Sequence, residues 1–129
     1  MSGGQQRRLS FAAAMIHRPE LLILDEPTCG LDPILRDNIW NHLVEITKEG
    51  TTVIITTHYI EETKQADRIG LMRCGKLLAE SSPNELLQHF QTETLEEVFL
   101  KLSEIQAENQ RRGITTDTAN FQPNFDHTT

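Results

Sequence analysis

The sequence has few cysteines and no long apolar run, and these shortages exclude several classes of protein. Its 129 residues include two cysteines, Cys29 and Cys74, which excludes a disulfide scaffold and a four-cysteine zinc site. No apolar run approaches the roughly 18–20 residues of a membrane-spanning helix, and the first residues lack the apolar core of a signal peptide. These shortages predict a soluble chain of a reducing compartment.

Basic residues are also scarce. The chain has 12 Lys and Arg against 19 Asp and Glu, so its net charge is −7. A negative field repels a polyanion, which argues against a nucleic-acid partner. Hydrophobic residues make up 37% of the sequence, and a chain of this length buries enough surface for a real core. We therefore expect one compact domain or a part of a larger one.

Apolar runs of strand type alternate with helical patterns. Residues 21–24 are consecutive apolar residues, typical of a strand buried on both faces of a parallel sheet. Residues 52–57 are all β-branched and predict a second strand, and residues 34–49 predict a helix between the two. The apolar residues on the core face of this helix are Ile39, Leu43 and Ile46. Later patterns predict a short helix at 61–66, a hairpin over 69–79, and helices beginning at residues 83 and 95. The alternation predicts an α/β fold.

Two adjacent carboxylates, Asp25 and Glu26, directly follow the first predicted strand. Parallel α/β sheets bind ligands at the carboxyl ends of their strands, and neighbouring carboxylates repel each other unless a cation or a proton compensates. Asp25 could therefore hold Mg²⁺, and Glu26 could reach a water molecule. An ordinary acidic loop after a strand also explains the pair, so both interpretations stay open at this point.

Ser2, Gly3, Gly4 and Gln5 open a helical pattern over residues 1–19. The glycines allow backbone N–H groups to approach an anion, the Ser2 hydroxyl can donate to it, and a helix N-terminus adds positive potential. This chemistry suits a phosphate group. Ser2 and Gln5 together are also a capping box, an interpretation that needs no ligand.

Two further polar residues stand at the ends of predicted elements. His58 ends the second strand, where an imidazole can contact a phosphate oxygen and orient a water, or can be a solvated loop residue. Asp32 precedes Pro33 and is typical of a turn or of the N-cap of the following helix. The other histidines do not have the spacing of a metal site.

In combination and in order, these segments resemble the second half of an ATP-binding-cassette (ABC) nucleotide-binding domain. Residues 2–5 are similar to the signature sequence of the family, and residues 21–27 are similar to its Walker B strand with the glutamate that follows. Residues 30–33 resemble the D-loop, and residues 57–58 resemble the loop of the switch histidine.

The resemblance implies a role for each of these residues. Asp25 is implied to coordinate the Mg²⁺ that accompanies ATP, Glu26 to act as base or polariser of the attacking water, and His58 to contact the γ-phosphate. Asp32 is implied to couple the two halves of a cassette dimer. The signature residues implied to bind the ATP of the opposite cassette are Ser2, Gly3, Gly4 and Gln5.

The phosphate-binding loop of the family, G-x-x-x-x-G-K-[S/T], has no match in the sequence. We therefore expect a partial P-loop NTPase fold over residues 1–103 that lacks its Walker A half. A disordered polar tail or linker is expected over residues 104–129. Such an incomplete sheet is expected to leave core faces open. The isolated chain is expected to lack ATPase activity.

Residues 57–62 and 95–100 are most similar to exporters whose membrane domains are of the ABC-2 type, in particular the G- and H-like subfamilies. The resemblance implies an ATPase segment at the cytoplasmic face of a membrane. It would power export together with a Walker A half, a second nucleotide-binding domain and a membrane domain. Two alternatives stay open: a non-hydrolysing fragment that binds or modulates another cassette, and part of a soluble ABC ATPase of DNA repair or translation.

Overall fold

The structure, a computed structural model, describes residues 19–113. The predicted helix over residues 1–19 and the signature-like residues 2–5 therefore lie outside the described residues, apart from Pro19. The elements, in chain order, are β1 (Leu21–Asp25), α1 (Pro33–Lys48), β2 (Thr52–Thr56), a 3-10 helix (Ile60–Gln65), β3 (Ile69–Arg73), β4 (Lys76–Ser81), α2 (Pro83–Phe90) and α3 (Leu95–Arg111). The chain forms two compact units, which divide between Tyr59 and Ile60.

The first unit is built on a parallel strand pair. β1 and β2 pair from Leu21 with Thr52 to Asp25 with Thr56, so the two strands end side by side. Helix α1 joins them along the chain, as parallel strands require a crossover connection. The predicted α/β class and the parallel core strands are confirmed. The core of this unit contains the buried residues Leu22, Leu43 and Ile46.

The prediction that β1 is buried on both faces is wrong. Leu22 is buried, whereas its neighbours Leu21 and Ile23 are 50% and 66% exposed, and Ile54 on β2 is 51% exposed. Successive side chains of a strand point to opposite faces, and the core of this unit lies on one face of the pair. The open apolar face that was expected for an incomplete sheet is therefore confirmed.

Helix α1 begins and ends at residues suited to those positions. Asp32 is its N-cap: the Oδ1 atom accepts a hydrogen bond of 3.0 Å from the backbone N–H of Leu35. Gly50 follows the helix with φ +103°, a left-handed conformation that a residue with a side chain adopts only at a cost. The core face of α1 differs slightly from the prediction. Trp40, which was not predicted to be in the core, is 4% exposed, whereas the predicted core residue Ile39 is half-buried.

The second unit combines a hairpin with two helices. β3 and β4 are antiparallel, as predicted, and the turn between them has φ +52° at Cys74 and +73° at Gly75. Two consecutive residues of positive φ are typical of tight hairpin turns. The predicted short helix is a 3-10 helix. The buried core residues are Ile69, Leu71, Leu78, Ala79, Leu86, Leu95, Val98 and Leu102.

Helix α3 continues beyond residue 103, so the prediction that the disordered tail begins at residue 104 is wrong for the start of that segment. The helix ends at Arg111. Its extension is held by Gln106, which is 4% exposed and exchanges two hydrogen bonds with Arg73: Arg73 Nη1 donates to Gln106 Oε1 at 2.9 Å, and Gln106 Nε2 donates to the Arg73 carbonyl at 3.2 Å. The division of the chain into residues 1–103 and a tail otherwise stays a prediction. None of the helices within residues 19–113 is long and apolar enough to cross a bilayer.

Candidate functional site

The paired ends of β1 and β2 bring three of the predicted residues to one rim. Asp25 lies opposite Thr56 in the parallel register, and the backbone N–H of Glu26 donates to the Thr56 carbonyl at 2.9 Å. His58 lies two residues after Thr56, and its Nδ1 atom is 2.6 Å from Glu26 Oε1. The convergence of the two carboxylates and the imidazole is therefore an observed feature, whereas their chemical roles stay predictions.

The contact between Glu26 and His58 is a hydrogen bond that becomes an ion pair when the imidazole is protonated. The side chains of His58 and Glu26 are 57% and 40% exposed, so a ligand in solvent can reach both. An exposed ion pair adds little to stability, with typical values of about 0–1 kcal/mol. The pair therefore contributes mainly to how the two side chains are oriented.

The backbone of Glu26 has a conformation that is unusual for a residue with a side chain. Its φ is +45°, in the left-handed region, where a non-glycine residue is strained by about 1 kcal/mol or more. Two acceptors hold the backbone of Glu26 in this conformation, because its N–H donates to the Thr56 carbonyl and also to Thr56 Oγ1 at 3.1 Å. The Glu26 carbonyl then accepts from the Cys29 N–H at 3.2 Å, which closes a turn. The chain thus turns at Glu26, directly after the end of β1.

Thr56 contacts both members of the acidic pair. Its hydroxyl donates to Asp25 Oδ1 and accepts from the Glu26 N–H. In the sequence, Thr56 is one β-branched residue of the predicted second strand. Its position could have indicated it, because Thr56 is a polar residue at the end of β2, which pairs in parallel with the strand that ends in Asp25.

A second group missed by sequence analysis lies beside His58. The rings of His58 and Tyr59 are 4.2 Å apart between centroids and tilted by 36°, and the guanidinium carbon of Arg36 lies 5.1 Å from the centre of the Tyr59 ring. This is the distance of a cation–π interaction. It links α1 to the segment that carries His58, and no short-range pattern pairs residues so distant in sequence.

The remaining predicted residues have different outcomes. The interpretation of Asp32 as an N-cap is confirmed, and its role in coupling two cassettes stays a prediction. Ser2, Gly3, Gly4 and Gln5 lie outside the described residues. Cys29 and Cys74 are free thiols.

The donors at the rim fit a magnesium ion that is shared with a nucleotide. Within residues 19–113, no group of three or more His, Cys, Asp or Glu side chains could enclose a metal. Magnesium is usually held by one or two carboxylates together with water and substrate phosphates, so a protein cage is not required. Asp25 is exposed, and its hydrogen bond to Thr56 engages Oδ1, which leaves Oδ2 for a cation.

The sequence is similar to those of known proteins. A family model described as "AAA domain, putative AbiEii toxin, Type IV TA system" matches residues 1–61. The chain is 51% identical over 102 residues to "ABC transporter G family member 20" of Dictyostelium discoideum, a match that covers 79% of this chain and 14% of that protein. It is 46% identical over 89 residues to "Nod factor export ATP-binding protein I" of a Rhizobium species, which covers 68% of this chain and 29% of the relative. The chain thus spans less than a third of the length of either relative.

The fold is also similar to solved structures. One of them is described as "Dimeric structure of a post-hydrolysis state of the ATP-binding cassette MJ0796 bound to ADP and Pi". The TM-score with it is 0.59 at 31% sequence identity, and the match covers 64% of this chain and 36% of that chain. The fold is therefore similar to a part of a solved ATP-binding cassette.

Proposed function

Because this chain is a segment of an ABC transporter ATP-binding domain, as the resemblance in its sequence predicted, we propose that its rim residues carry out part of ATP hydrolysis. The observation that carries the proposal is the meeting of Asp25, Glu26 and His58 at the ends of two paired strands. A phosphate-binding loop from the other half of the domain would complete the site. The hydrolysis would power export through a membrane domain.

In the proposed mechanism, Asp25 and Glu26 have different tasks although they are adjacent. Asp25 would hold the magnesium ion through its carboxylate, and that ion supplies positive charge to the phosphates of ATP. Glu26 has a left-handed backbone and its side chain contacts His58, and its carboxylate would hold the attacking water and accept its proton. The two adjacent residues would thus serve as metal ligand and as base, each held by its own contact: Asp25 by Thr56 and Glu26 by His58.

His58 would serve both the base and the phosphate. Its Nδ1 contacts Glu26 Oε1, which fixes the direction of the carboxylate. The Nε2 atom lies on the opposite side of the ring, and in an imidazolium it can donate to a γ-phosphate oxygen. Phosphoryl transfer depends mostly on positioning and charge stabilisation, which these contacts would provide.

The proposal extends to partners. We propose that residues 1–103, with the continuation of α3, belong to the C-terminal half of the nucleotide-binding domain. The signature residues Ser2, Gly3, Gly4 and Gln5 would face the ATP of a second cassette, and Asp32 would couple the two sites. The dimeric solved relative supports a second cassette, and the transporter and export names of the relatives support a membrane domain over a soluble ATPase. The resemblance of residues 57–62 and 95–100 to exporters is the ground for proposing the ABC-2 type.

The test is ATP turnover after the chain is co-expressed or fused with a Walker A half. Glu26→Gln should lower kcat by about 100-fold or more, because an amide cannot accept the proton of the attacking water. Glu45→Gln is the matched control, since Glu45 is an exposed residue of α1 and should leave turnover unchanged. Equal turnover in Glu26→Gln and in the unmodified protein would show that Glu26 is not the base.

A further inference from the structure

We infer that Thr56 is a positioning residue that orients both carboxylates of the acidic pair through one hydroxyl group. The inference rests on the proposed function, which assigns the metal to Asp25 and the water to Glu26. Thr56 is assigned no contact with substrate. It acts through Asp25, the last residue of β1, and through Glu26, which follows β1, so its effect on hydrolysis would be indirect.

The Thr56 hydroxyl donates one hydrogen bond and accepts another. A threonine hydroxyl has a single proton, and here that proton goes to Asp25 Oδ1. A lone pair of the same oxygen accepts the N–H of Glu26 at 3.1 Å. The Oγ1 atom of Thr56 thus joins the side chain of Asp25 to the backbone of Glu26.

Each of these contacts has a consequence for the rim. The bond to Asp25 Oδ1 restricts rotation of the carboxylate, so that Oδ2 keeps one direction towards a cation. The Thr56 hydroxyl is a second acceptor for the backbone N–H of Glu26, which also donates to the Thr56 carbonyl at 2.9 Å. That pair of acceptors stabilises the strained left-handed backbone of Glu26, from which its side chain reaches His58.

Packing gives no alternative reason for this hydroxyl. Thr56 is exposed at the last position of β2, so its side chain is not part of the apolar core. Valine has nearly the same shape and the same preference for strands, and it lacks the hydroxyl. Serine keeps the hydroxyl. Thr52, the exposed first residue of the same strand, provides a matched site for the same exchange away from the rim.

The first readout tests the hydrogen bond without any metal. In the full 129-residue chain, hydrogen exchange of the Glu26 amide is followed by NMR in Thr56→Val, Thr56→Ser and Thr52→Val. Thr56→Val should speed exchange of this amide about 3-fold or more, because one of its two acceptors is lost. Thr56→Ser should restore protection, and Thr52→Val should leave it unchanged.

The second readout uses Mn²⁺ alone as a probe for the magnesium position. Paramagnetic broadening of the signals of residues 25 and 26 reports binding, and Thr56→Val should raise the Mn²⁺ concentration at half-effect about 3- to 10-fold. Thr56→Ser should stay within about 2-fold of the unmodified chain. A loss of packing would be shared by the serine variant, so its rescue separates positioning from a merely structural role.

The outcomes distinguish the inference from the function on which it rests. Unchanged Glu26 exchange and unchanged Mn²⁺ binding in Thr56→Val would overturn the role of Thr56 and leave the proposed hydrolysis intact. An equal effect of Thr52→Val would also overturn it, since any hydroxyl of β2 would then serve. Broadening that persists in Asp25→Asn would refute the metal assignment, and the amide exchange would still decide whether Thr56 holds Glu26.

Discussion

Asp32 has two proposed roles that substitutions can separate. In the structure its carboxylate caps α1 by accepting from the Leu35 N–H at 3.0 Å, and the resemblance to cassettes adds a role in coupling two sites. Asparagine caps helices about as well as aspartate, whereas alanine has no side-chain acceptor. Asp32→Ala should therefore remove the cap, and Asp32→Asn should remove only the charge.

The expected magnitudes follow from the cap and from the helix dipole. Loss of an N-cap acceptor lowers the free energy of unfolding by about 1 kcal/mol. The first turn of α1 contains no acidic residue, so Asp32 is also the charge nearest the positive end of the helix, which adds about 0.3–1 kcal/mol. We expect Asp32→Ala to lose about 1.5 kcal/mol, the sum of the two effects, and Asp32→Asn to lose a few tenths.

The sequence contains a convenient probe for this measurement. Trp40 is the single tryptophan of the chain, lies on α1 itself and is 4% exposed, so its fluorescence reports on the helix that Asp32 caps. The free energy of unfolding falls by about 1–2 kcal/mol for each molar of urea. The urea concentration at which half of the protein is unfolded should therefore be about 0.8–1.5 M lower for Asp32→Ala.

The capping argument would be refuted if Asp32→Asn were as unstable as Asp32→Ala, because the charge and not the acceptor would then matter. Equal stability of all three proteins would refute any contribution of the cap. Asp32→Asn also isolates the functional role. A loss of turnover in the completed cassette with this stable variant would point to coupling between cassettes.

Two further predictions concern the cores of the two units. Leu43→Ala should lower the free energy of unfolding by about 2–5 kcal/mol in the same Trp40 assay, because Leu43 is 3% exposed and its loss leaves a cavity. Ile34→Ala on the same helix is the control, since Ile34 is 74% exposed; a comparable loss there would contradict the assignment of the core face. In the second unit, Gln106→Ala should destabilise the end of α3 by about 1–3 kcal/mol, because the Arg73 guanidinium and carbonyl each lose a buried partner. Faster hydrogen exchange over residues 104–111 would measure this effect, and the exposed Gln110→Ala should not show it.

Much of the fold could be predicted because its signals are local. The apolar run of β1, the β-branched run of β2 and the Asp-Pro start of α1 each depend on residues close together in the chain, and their elements form where expected. The rim site followed from a general rule, since parallel strands that end together place the residues after them side by side. Asp25, Glu26 and His58 could therefore be named before their distances were known.

The incorrect predictions concern what packs against each element. The apolar run of β1 predicts burial on both faces, but composition does not specify how many layers cover a strand, and Ile23 is 66% exposed. The polar sequence after residue 103 suggested a tail, but one buried glutamine bonded to Arg73 extends the helix to Arg111. A residue's pattern in the chain carries no information about a partner that is distant in sequence.

Local sequence, then, predicts the helix cap at Asp32 and names the rim residues proposed to bind a cation and activate water, because these predictions depend on residue types and on the ends of their elements. The contacts of Thr56 with the acidic pair and of Arg36 with Tyr59 arise from pairing between segments far apart in the chain. The register of β1 with β2 sets which hydroxyl meets which carboxylate, and a shift of one residue would turn Thr56 to the other face. The orientation of the acidic pair is therefore a property of the folded strand pair.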